Sequence, residues 1–454
     1  MGLPVEQLVE IDAVAFIHGL APADLPGVVL AQARRCLIDL VGVAAAGART
    51  DCARIVRDYA AGHLAAPGGG ARMLFDGRRA SRAGAAYAGA ALIDSYDAHD
   101  GHMLTKGHAG AALLPSLFAV IDSGHAADGD EFLATLVMGY EIAIRAGIAL
   151  HATVADYHTS GAWNALGAAA IAARLMKLGA PQTREALGIA EYHGPRSQMM
   201  RVIDHPTMLK DGSGYGAFAG VAAADLAAQG FTGAPAITVE AAECRPIWAD
   251  LGKSWRICEQ YLKPYPVCRW AQPPIEAIRA LRAGHPFVAA QVRRVEVETF
   301  AQAARLDERR PTGTDAAQYS LPFALAAYLV RDRVTADEIA GASLSDATIL
   351  ALADRIELVS DPVLSARYPA ERVARVTVHL HDGSELRTGL AHARGTPEDP
   401  LSDKEIEEKF EASVAWLGPK RAAALHRAAF GLGKGAGSVE ALLDAVLAPV
   451  SIPR

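Results

Sequence analysis

The sequence has few cysteines and no excess of positive charge. Its 454 residues include only five cysteines, none in a CxxC pair or a Cys/His group with zinc spacing. This excludes a disulfide framework and predicts reduced, buried thiols. The 44 Lys and Arg residues are outnumbered by 51 Asp and Glu, and the net charge is −7. We therefore expect neither nucleic acid nor a membrane surface as a partner.

Long hydrophobic runs are also scarce. The longest nearly uninterrupted apolar stretch, residues 109–121, contains Gly110, Pro115 and Ser116 and falls short of the roughly 18 to 20 residues that span a bilayer. The first residues carry acidic side chains and no basic region ahead of an apolar core, unlike a secretory signal. We expect no transmembrane helix and a cytoplasmic protein.

Motifs for nucleotide cofactors and for common nucleophiles are missing. Gly68-Gly-Gly follows no strand signal, and Gly212-Ser-Gly-Tyr-Gly lacks a preceding strand and turn, so neither is a dinucleotide fingerprint. There is no GxSxG elbow, P-loop or cysteine nucleophile signature. The sequence predicts no built-in cofactor.

The fold class predicted from periodicity is mainly α, with a smaller α+β part. Residues 4–264 are rich in Ala, Leu, Ile and Val at helical spacing, whereas residues 292–300 and 373–380 alternate at period two. An Asp-Gly pair at 382–383 indicates a hairpin after the second strand. Helices are expected over 316–330, over 346–353 and again from Ser402, which opens a capping box. We predict a large all-helical domain formed by both chain ends (1–264 and 403–454) and an α+β domain between them (265–402).

One segment after an Ala-rich helix is unusually dense in acids and bases. It contains Asp97, His99, Asp100, His102, Lys106 and His108. No HExxH or comparable spacing places two metal ligands on one helical face, so we predict no metal site. A solvated loop whose aspartates cap the next helix is the alternative for any single residue here.

Other polar residues interrupt apolar sequence at Gly- and Pro-punctuated helix ends. Lys210, Lys263 and Arg269 could bind carboxylates, although an isolated basic residue is more often a surface residue. His158 and Tyr319 could exchange protons, although a lone His or Tyr is more often a core residue. The inventory suits proton abstraction beside a carboxylate, followed by elimination, epimerisation or decarboxylation.

These motifs, in this order, resemble the MmgE/PrpD family, which includes 2-methylcitrate dehydratase, cis-aconitate decarboxylase and iminodisuccinate epimerase. The resemblance covers nearly the whole chain. It rests on the segment 97–108 followed by Leu-Pro, Gly139-Tyr-Glu-Ile with Tyr157-His-Thr, Met208-Leu-Lys-Asp-Gly with Leu226-Ala-Ala-Gln-Gly-Phe-Thr-Gly, Lys263-Pro-Tyr-Pro-Val-Cys-Arg-Trp, Gln318-Tyr-Ser-Leu-Pro-Phe, and Gly395-Thr-Pro-Glu-Asp-Pro-Leu-Ser with Lys409-Phe.

The resemblance implies a helical domain built from both chain ends, a smaller lid domain, a homodimer, and an active site between the domains that needs no cofactor. The expected catalytic residues are Asp97, His108, His158 and Tyr319, and the expected substrate-binding residues are Lys210, Lys263, Arg269 and His102. Closure of the lid is expected to bring Tyr319 within about 10 Å of His158.

Four positions depart from the family pattern. Where many members have His, Asp and Thr, this chain has Asp94, His99 and Gly101, and Gln272 stands where His is common. These changes replace hydrogen-bonding and titrating groups near the expected substrate.

The function predicted from sequence is a cofactor-independent lyase, with dehydration as the leading reaction, acting on a small di- or tricarboxylate. Isomerisation or epimerisation, and decarboxylation, remain alternatives. A further alternative is a carboxylate-binding protein without catalytic activity.

Overall fold

The computed structural model describes residues 13–433 and 437–450. The first twelve residues, on which the signal-peptide argument rests, lie outside this range. Among these residues, the chain before Lys263 forms twelve α-helices. They are α1 (Ala13–Gly19), α2 (Gly27–Gly47), α3 (Asp51–His63), α4 (Arg82–Asp94), α5 (Gly110–Asp122), α6 (Gly129–Thr153), α7 (Gly161–Leu175), α8 (Ala180–His193), α9 (Met200–Asp204), α10 (Ser213–Ala228), α11 (Ile237–Glu240) and α12 (Arg245–Trp248).

Small residues allow the central helices α4, α7 and α10 to pack closely, as their alanine content predicts. A Cβ atom added at Gly220 of α10 would lie only 2.3 Å from the backbone oxygen of Ala165 in α7. Both α4 and α10 are buried along most of their length. Close helix contact therefore depends on residues without bulk at these crossings.

Helix α6 is the most apolar long helix among the described residues. One 18-residue window has a mean hydropathy of 1.5, which by length and composition would suit a membrane span, yet 94% of that window is buried inside the protein. It also carries the buried charges Glu141 and Arg145. The prediction of no transmembrane helix rested on the shorter stretch in α5, whereas α6 is the longer apolar run; its burial identifies α6 as a core helix.

The middle of the chain contains the main sheet and five helices. The elements are α13 (Gln272–Gly284), β5 (Val292–Thr299), α14 (Thr314–Gln318), α15 (Leu321–Arg331), α16 (Ala347–Ala353), β6 (Ile356–Ser360), α17 (Pro362–Arg367), β7 (Val373–Leu380), β8 (Glu385–Arg387) and β9 (Ala391–His392). The sheet order is β6–β5–β7–β8, with β9 also paired to β7; β5 and β6 are parallel, and the other pairs are antiparallel.

The predicted strands and hairpin are confirmed, but the helix predicted over 316–330 is broken. It ends at Gln318 and restarts at Leu321, because the Ser320 side chain caps the second helix by accepting a hydrogen bond from Phe323 N–H at 3.0 Å. Pro322 follows in the first turn, where the missing N–H has no intrahelical partner. The break places Gln318 and Tyr319 at a helix end.

Two further strand pairs are only two residues long. The strands β1 (Ala71–Arg72) and β2 (Arg79–Ala80) form one pair, and β3 (Gly101–His102) and β4 (Gln260–Tyr261) form the other. Strand β3 belongs to the segment dense in acids and bases, and β4 lies just before Lys263. Their pairing therefore fixes the position of that segment relative to Lys263.

The last helices return to α2. They are α18 (Asp403–Val414), α19 (Pro419–Gly431) and α20 (Val439–Leu447). Ser402 and Glu405 form the predicted capping box of α18. Lys409 of α18 donates hydrogen bonds to Asp39 of α2 and to the Ala98 carbonyl. These contacts suit a domain made from both chain ends; the domain boundaries stay a prediction. All five cysteines are free, and all except Cys258 are buried.

Candidate active site

The site begins with a buried ion pair between two distant segments. Lys263, directly beyond β4, donates hydrogen bonds to a carboxylate oxygen of Asp97 and, at 3.3 Å, to the Asp97 carbonyl. Burial alone would raise the pKa of Asp97, but the Lys263 charge, with His99 and Lys210, holds it below its usual value. Conversely, burial alone would lower the pKa of Lys263, and Asp97 raises it. Both groups are therefore charged.

Lys210 lies on the other side of Asp97 and has no carboxylate partner among the described residues. Its Nζ donates to Gln318 Oε1 at 2.7 Å and lies 4.8 Å from the centre of the Tyr319 ring. The residue is 2% exposed and adopts a left-handed backbone conformation, with φ at 49°. Such a conformation is uncommon for a residue with a side chain and recurs at functional sites. Lys210 is thus a buried cation with donors to spare.

Gln318 connects these groups. Its Oε1 also accepts a hydrogen bond from Asp97 N–H at 2.8 Å, while its Nε2 donates to the Ser95 carbonyl and to Thr314. The helix break beyond Gln318 directs Tyr319 toward Lys210. Burial, with Asp97 and Asp211 nearby, raises the pKa of Tyr319 well above its usual value, so the phenol stays protonated.

His108 and Asp211 form a second pair, whose facing atoms are close enough to share one proton. The Nδ1 atom of His108 contacts the Asp100 carbonyl, which can only accept, so Nδ1 carries a proton. The Nε2 atom lies 3.2 Å from Asp211 Oδ2. Burial, with Lys263 adding to it, lowers the pKa of His108 well below 6.5. Burial, with Asp94 adding to it, raises the pKa of Asp211 to about 7.

These two shifts favour a neutral His108 imidazole beside a protonated Asp211 carboxyl group. Ser160 fixes both partners, because its hydroxyl donates to Asp211 Oδ2 at 3.1 Å and accepts from His108 N–H at 2.9 Å. The pair can deliver one proton and take it back.

His99 and Asp94, two of the departures from the family pattern, contact each other beside this pair. The Nε2 atom of His99 lies 3.4 Å from Asp94 Oδ1, and its ring centre lies 4.2 Å from that of His108. Neither ring nitrogen of His99 has a hydrogen-bond partner among the described residues, although both are buried. Unsatisfied buried nitrogens next to acids and cations are a mark of a ligand site.

The departure at Gly101 is explained by Tyr261, the last residue of β4. A Cβ atom at Gly101 would lie 2.4 Å from Cζ and Oη of Tyr261, so the phenol ring occupies the space that a larger residue would need. The fourth departure, Gln272, holds the local backbone in place. Its side chain accepts a hydrogen bond from Arg269 and donates hydrogen bonds to the carbonyls of Tyr265 and Val267.

A cavity of about 550 Å³ reaches this cluster from the helical side. Asp94, Thr159 and Lys210 contribute to its polar part, and Arg201 and His205 also line it. The remaining lining is mostly apolar and includes Val56, Tyr87, Val202, Met208, Leu209 and Tyr215. The volume exceeds the lower end of the range for small-molecule sites.

Asp97, His99 and His108 offer ligand atoms that lie within 4.8 Å of one another, a spacing that a metal ion could use. However, the ammonium of Lys263 is bound to Asp97, and Nδ1 of His108 is bound to a carbonyl. A divalent cation here would lie beside that ammonium. The contacts favour Lys263 as the counter-charge of Asp97.

Three residues expected at the site have other contacts. His102 contacts Glu259 at 2.9 Å, and burial lowers its pKa below 6.5. Arg269 donates to the carbonyls of Ala393 and Arg394 and stacks on the Tyr261 ring at 4.4 Å. For His158, the ring lies beside His151 and one buried nitrogen has no partner among the described residues. Their predicted roles in binding or catalysis stay predictions.

Asp211 and Gln318 belong to this cluster and were not singled out from sequence. Both lie inside motifs that were recognised, immediately beside Lys210 and Tyr319. Lys210 and Tyr319 were predicted because a cation can bind a carboxylate and a phenol can exchange a proton. An acid or amide beside such a residue indicates a role in the site only once its burial is known.

A buried acid–base cluster beside cations with unused donors has the chemical groups needed to bind a carboxylate and move a proton. The chain belongs to the MmgE/PrpD family: the model of the MmgE/PrpD N-terminal domain matches residues 12–243, and that of the C-terminal domain matches residues 265–429. The second match extends past residue 402, where we expected the α+β domain to end.

Curated relatives align over most of the chain. A cis-aconitate decarboxylase-like protein, oryM, of Aspergillus oryzae is 25% identical over 445 residues, covering 87% of this chain and 88% of the relative. A cis-aconitate decarboxylase of Aspergillus terreus is 22% identical over 434 residues, covering 86% of each chain. Another, from strain NIH 2624 of that species, is 23% identical with the same coverage.

Proposed function

We propose that this chain is a cofactor-independent lyase that decarboxylates a small unsaturated di- or tricarboxylate. The names of its curated relatives support decarboxylation over the dehydration that we favoured from sequence. Their identity to this chain is 25% or less, so the substrate itself is part of the proposal.

The proton-sharing pair of His108 and Asp211 is the observation that carries this proposal. In the proposed reaction a carbon–carboxylate bond breaks, carbon dioxide leaves, and the electron pair stays on the substrate, delocalised toward another carboxylate. An acid must then return one proton to carbon. Asp211 first passes its proton to Nε2 of His108, the imidazolium then gives that same proton to carbon, and solvent reprotonates Asp211 after product release.

The lysines stabilise the negative charge that builds up in this step. Lys210 uses one of its three N–H donors on Gln318, and its other donors can bind a substrate carboxylate by charge-assisted hydrogen bonds. Lys263 is neutralised by Asp97 and acts mainly to hold that carboxylate in place. A fixed cation in a buried site stabilises developing charge without reorganisation of solvent.

Dehydration is the second candidate, and the position of Tyr319 favours it. Among the described residues the phenol has no hydrogen-bond partner, and the ring lies beside Lys210. A protonated phenol at this place can donate to a leaving hydroxyl group. The two reactions differ in whether carbon dioxide or water leaves.

The test is incubation of the purified protein with cis-aconitate, citrate and related acids in deuterated water, with carbon dioxide and products measured by NMR. Decarboxylation releases carbon dioxide and places one deuterium on the product carbon. Dehydration gives an unsaturated acid without carbon dioxide, and epimerisation gives exchange without net loss of either.

A matched pair of variants ties the activity to this site. Asp211→Asn is expected to lower turnover by about 10² to 10⁴, because the amide cannot supply the proton. Asp225→Asn removes a carboxylate of α10 that is 3.3 Å from Arg82, and is expected to keep normal turnover. Equal effects of the two variants would contradict the proposed role of Asp211.

A further inference from the structure

Six cationic side chains are buried among the described residues, and their partners differ. Arg57, Arg145 and Lys263 each have a carboxylate oxygen within 4.0 Å. The other three, Lys210, Arg269 and Arg372, form no ion pair. Arg269 compensates with hydrogen bonds to two carbonyls and to Gln272. Lys210 and Arg372 are therefore the two buried cations with the most unused capacity.

Arg372 is the less satisfied of these two cations. It lies immediately before β7 and is only 7% exposed, yet among the described residues its guanidinium makes one hydrogen bond, from Nη2 to the Met103 carbonyl at 3.3 Å. Its Nε is buried and has no partner. A buried guanidinium offers five donors and is costly to desolvate without an anion.

Lys106 is a second cation and lies in the loop that contains Met103. Its backbone is left-handed, with φ at 53°, and its Nζ lies 5.4 Å from the centre of the Tyr157 ring. Lys106 forms no ion pair with a described residue. Burial lowers the pKa of Lys106, and the charge of Arg372 lowers it further. Because these two cations repel each other and neither forms an ion pair with a described residue, a bound anion would stabilise both.

His108 connects this positive region to the cluster around Lys210. His108 lies two residues beyond Lys106, its Nε2 atom is 3.2 Å from Asp211 Oδ2, and Asp211 directly follows Lys210. The proton-sharing pair thus joins the cation region formed by Lys210 with Gln318 to the one formed by Arg372 with Lys106.

We propose that Arg372 and Lys106 bind a second carboxylate of the substrate, so that the substrate carries at least two anionic groups and extends past His108 from Lys210 to Arg372. This inference rests on the proposed function, since it names how that site selects its substrate. It makes Arg372, which no sequence motif indicated, a residue that determines specificity. A monocarboxylate would leave the Arg372 guanidinium buried without an anion.

The experiment measures binding rather than turnover, using two unreactive probes in calorimetric titrations. Tricarballylate is a saturated tricarboxylate, and butyrate has a single carboxylate. Wild-type protein is expected to bind tricarballylate more tightly. Arg372→Gln is expected to weaken tricarballylate about 10- to 100-fold, the usual range for a lost charge-assisted contact, and to change butyrate less than about threefold.

Arg375→Gln is the matched control, because Arg375 lies three residues further along, on β7, is half-exposed, and is 3.6 Å from Asp361. It is expected to leave both affinities unchanged. Arg372→Lys keeps the charge but loses the planar fork, and is expected to bind tricarballylate between wild type and Arg372→Gln. If Arg372→Gln does not fold, Lys106→Gln replaces it, with an expected loss of about three- to tenfold for tricarballylate.

An unchanged ratio of the two affinities in the Arg372 or Lys106 variants would overturn this inference and leave the proposed function standing. If wild-type protein binds neither tricarballylate nor any acid of the activity panel, the proposed function fails and the inference fails with it.

Discussion

Two charge clusters adjoin the β3–β4 pair, and they are built differently. In the first, which we call the paired network, every acid contacts a basic side chain: Glu141 contacts Arg145, Asp250 contacts Arg145 and Arg256, and Glu259 contacts Arg256 and the His102 ring. In the second, the candidate active site, Lys210 has only an amide, and Asp211 faces a neutral imidazole.

The difference indicates which cluster supports the fold and which awaits a ligand. Removing charges from water costs several kcal/mol per ion, and a full set of partners offsets that cost within the protein itself. In the paired network each carboxylate has a cationic neighbour, although burial still raises the pKa of Glu141. In the active site such a neighbour is missing at the groups proposed to bind a substrate or to hold a proton, so a bound carboxylate would supply the partner that Lys210 lacks.

The largest expected effect separates two histidines, one from each cluster. His108→Gln is expected to lower kcat by about 10² to 10⁴, because it removes the group that delivers the proton. His102→Gln is expected to keep kcat within about tenfold of wild type, since His102 contacts Glu259 rather than the proton-sharing pair. Steady-state kinetics on the substrate found in the activity panel measure both; equal losses would contradict the assignment.

The next effect concerns stability in the paired network. Arg145→Met is expected to lower the free energy of unfolding by about 3 to 5 kcal/mol, since it breaks a fully buried pair and leaves two carbonyls without donors. Arg256→Met, at a half-exposed position, is expected to lose at most about 1 kcal/mol. Urea denaturation provides the comparison, and similar losses in the two variants would contradict it.

A third effect is the pH dependence contributed by Glu141. Burial raises its pKa to about 7 in spite of Arg145, so the folded protein binds this proton more strongly than the unfolded chain does. The contribution to stability is complete below pH about 4.5 and is lost as pH rises through about 7, by up to about 3 kcal/mol. Glu141→Gln should remove this part of the pH dependence, measured by urea denaturation from pH 4.5 to 8. An identical slope in both proteins would exclude it.

The smallest effect is the pH profile of the reaction. Asp211, with a pKa raised to about 7, must hold its proton, so kcat/KM is expected to fall about tenfold per pH unit above that value. Glu141→Gln should show the same profile, because the paired network takes no part in proton delivery. A rate that stays level from pH 7 to 9 would contradict the role of Asp211.

Local signals in the sequence were sufficient for most of the fold. Period-two alternation predicted β5 and β7, the Asp-Gly pair predicted β8 as the hairpin partner of β7, and Ser402 with Glu405 predicted the start of α18. These features depend on residues a few positions apart. The helix break at Ser320 was missed because the apolar pattern continues through it, and only the cap shows where the second helix begins.

The site was predicted less completely, because its contacts join residues far apart in the chain. Asp97 and Gln318 are separated by 221 residues, and only the family resemblance placed their segments together. Arg372 carries no local signal: in the sequence it is one of many arginines ahead of a strand. Its burial and its lack of an acid partner are properties of the folded chain alone.

Gly101 and Tyr261 limit how this protein can be redesigned. The phenol ring fills the volume above Gly101, and the same ring supports Arg269. Restoring the threonine common in the family at position 101 alone would push the ring off that guanidinium. Protein engineers who wish to exchange substrate preference between this chain and its relatives must therefore swap positions 101 and 261 as a unit.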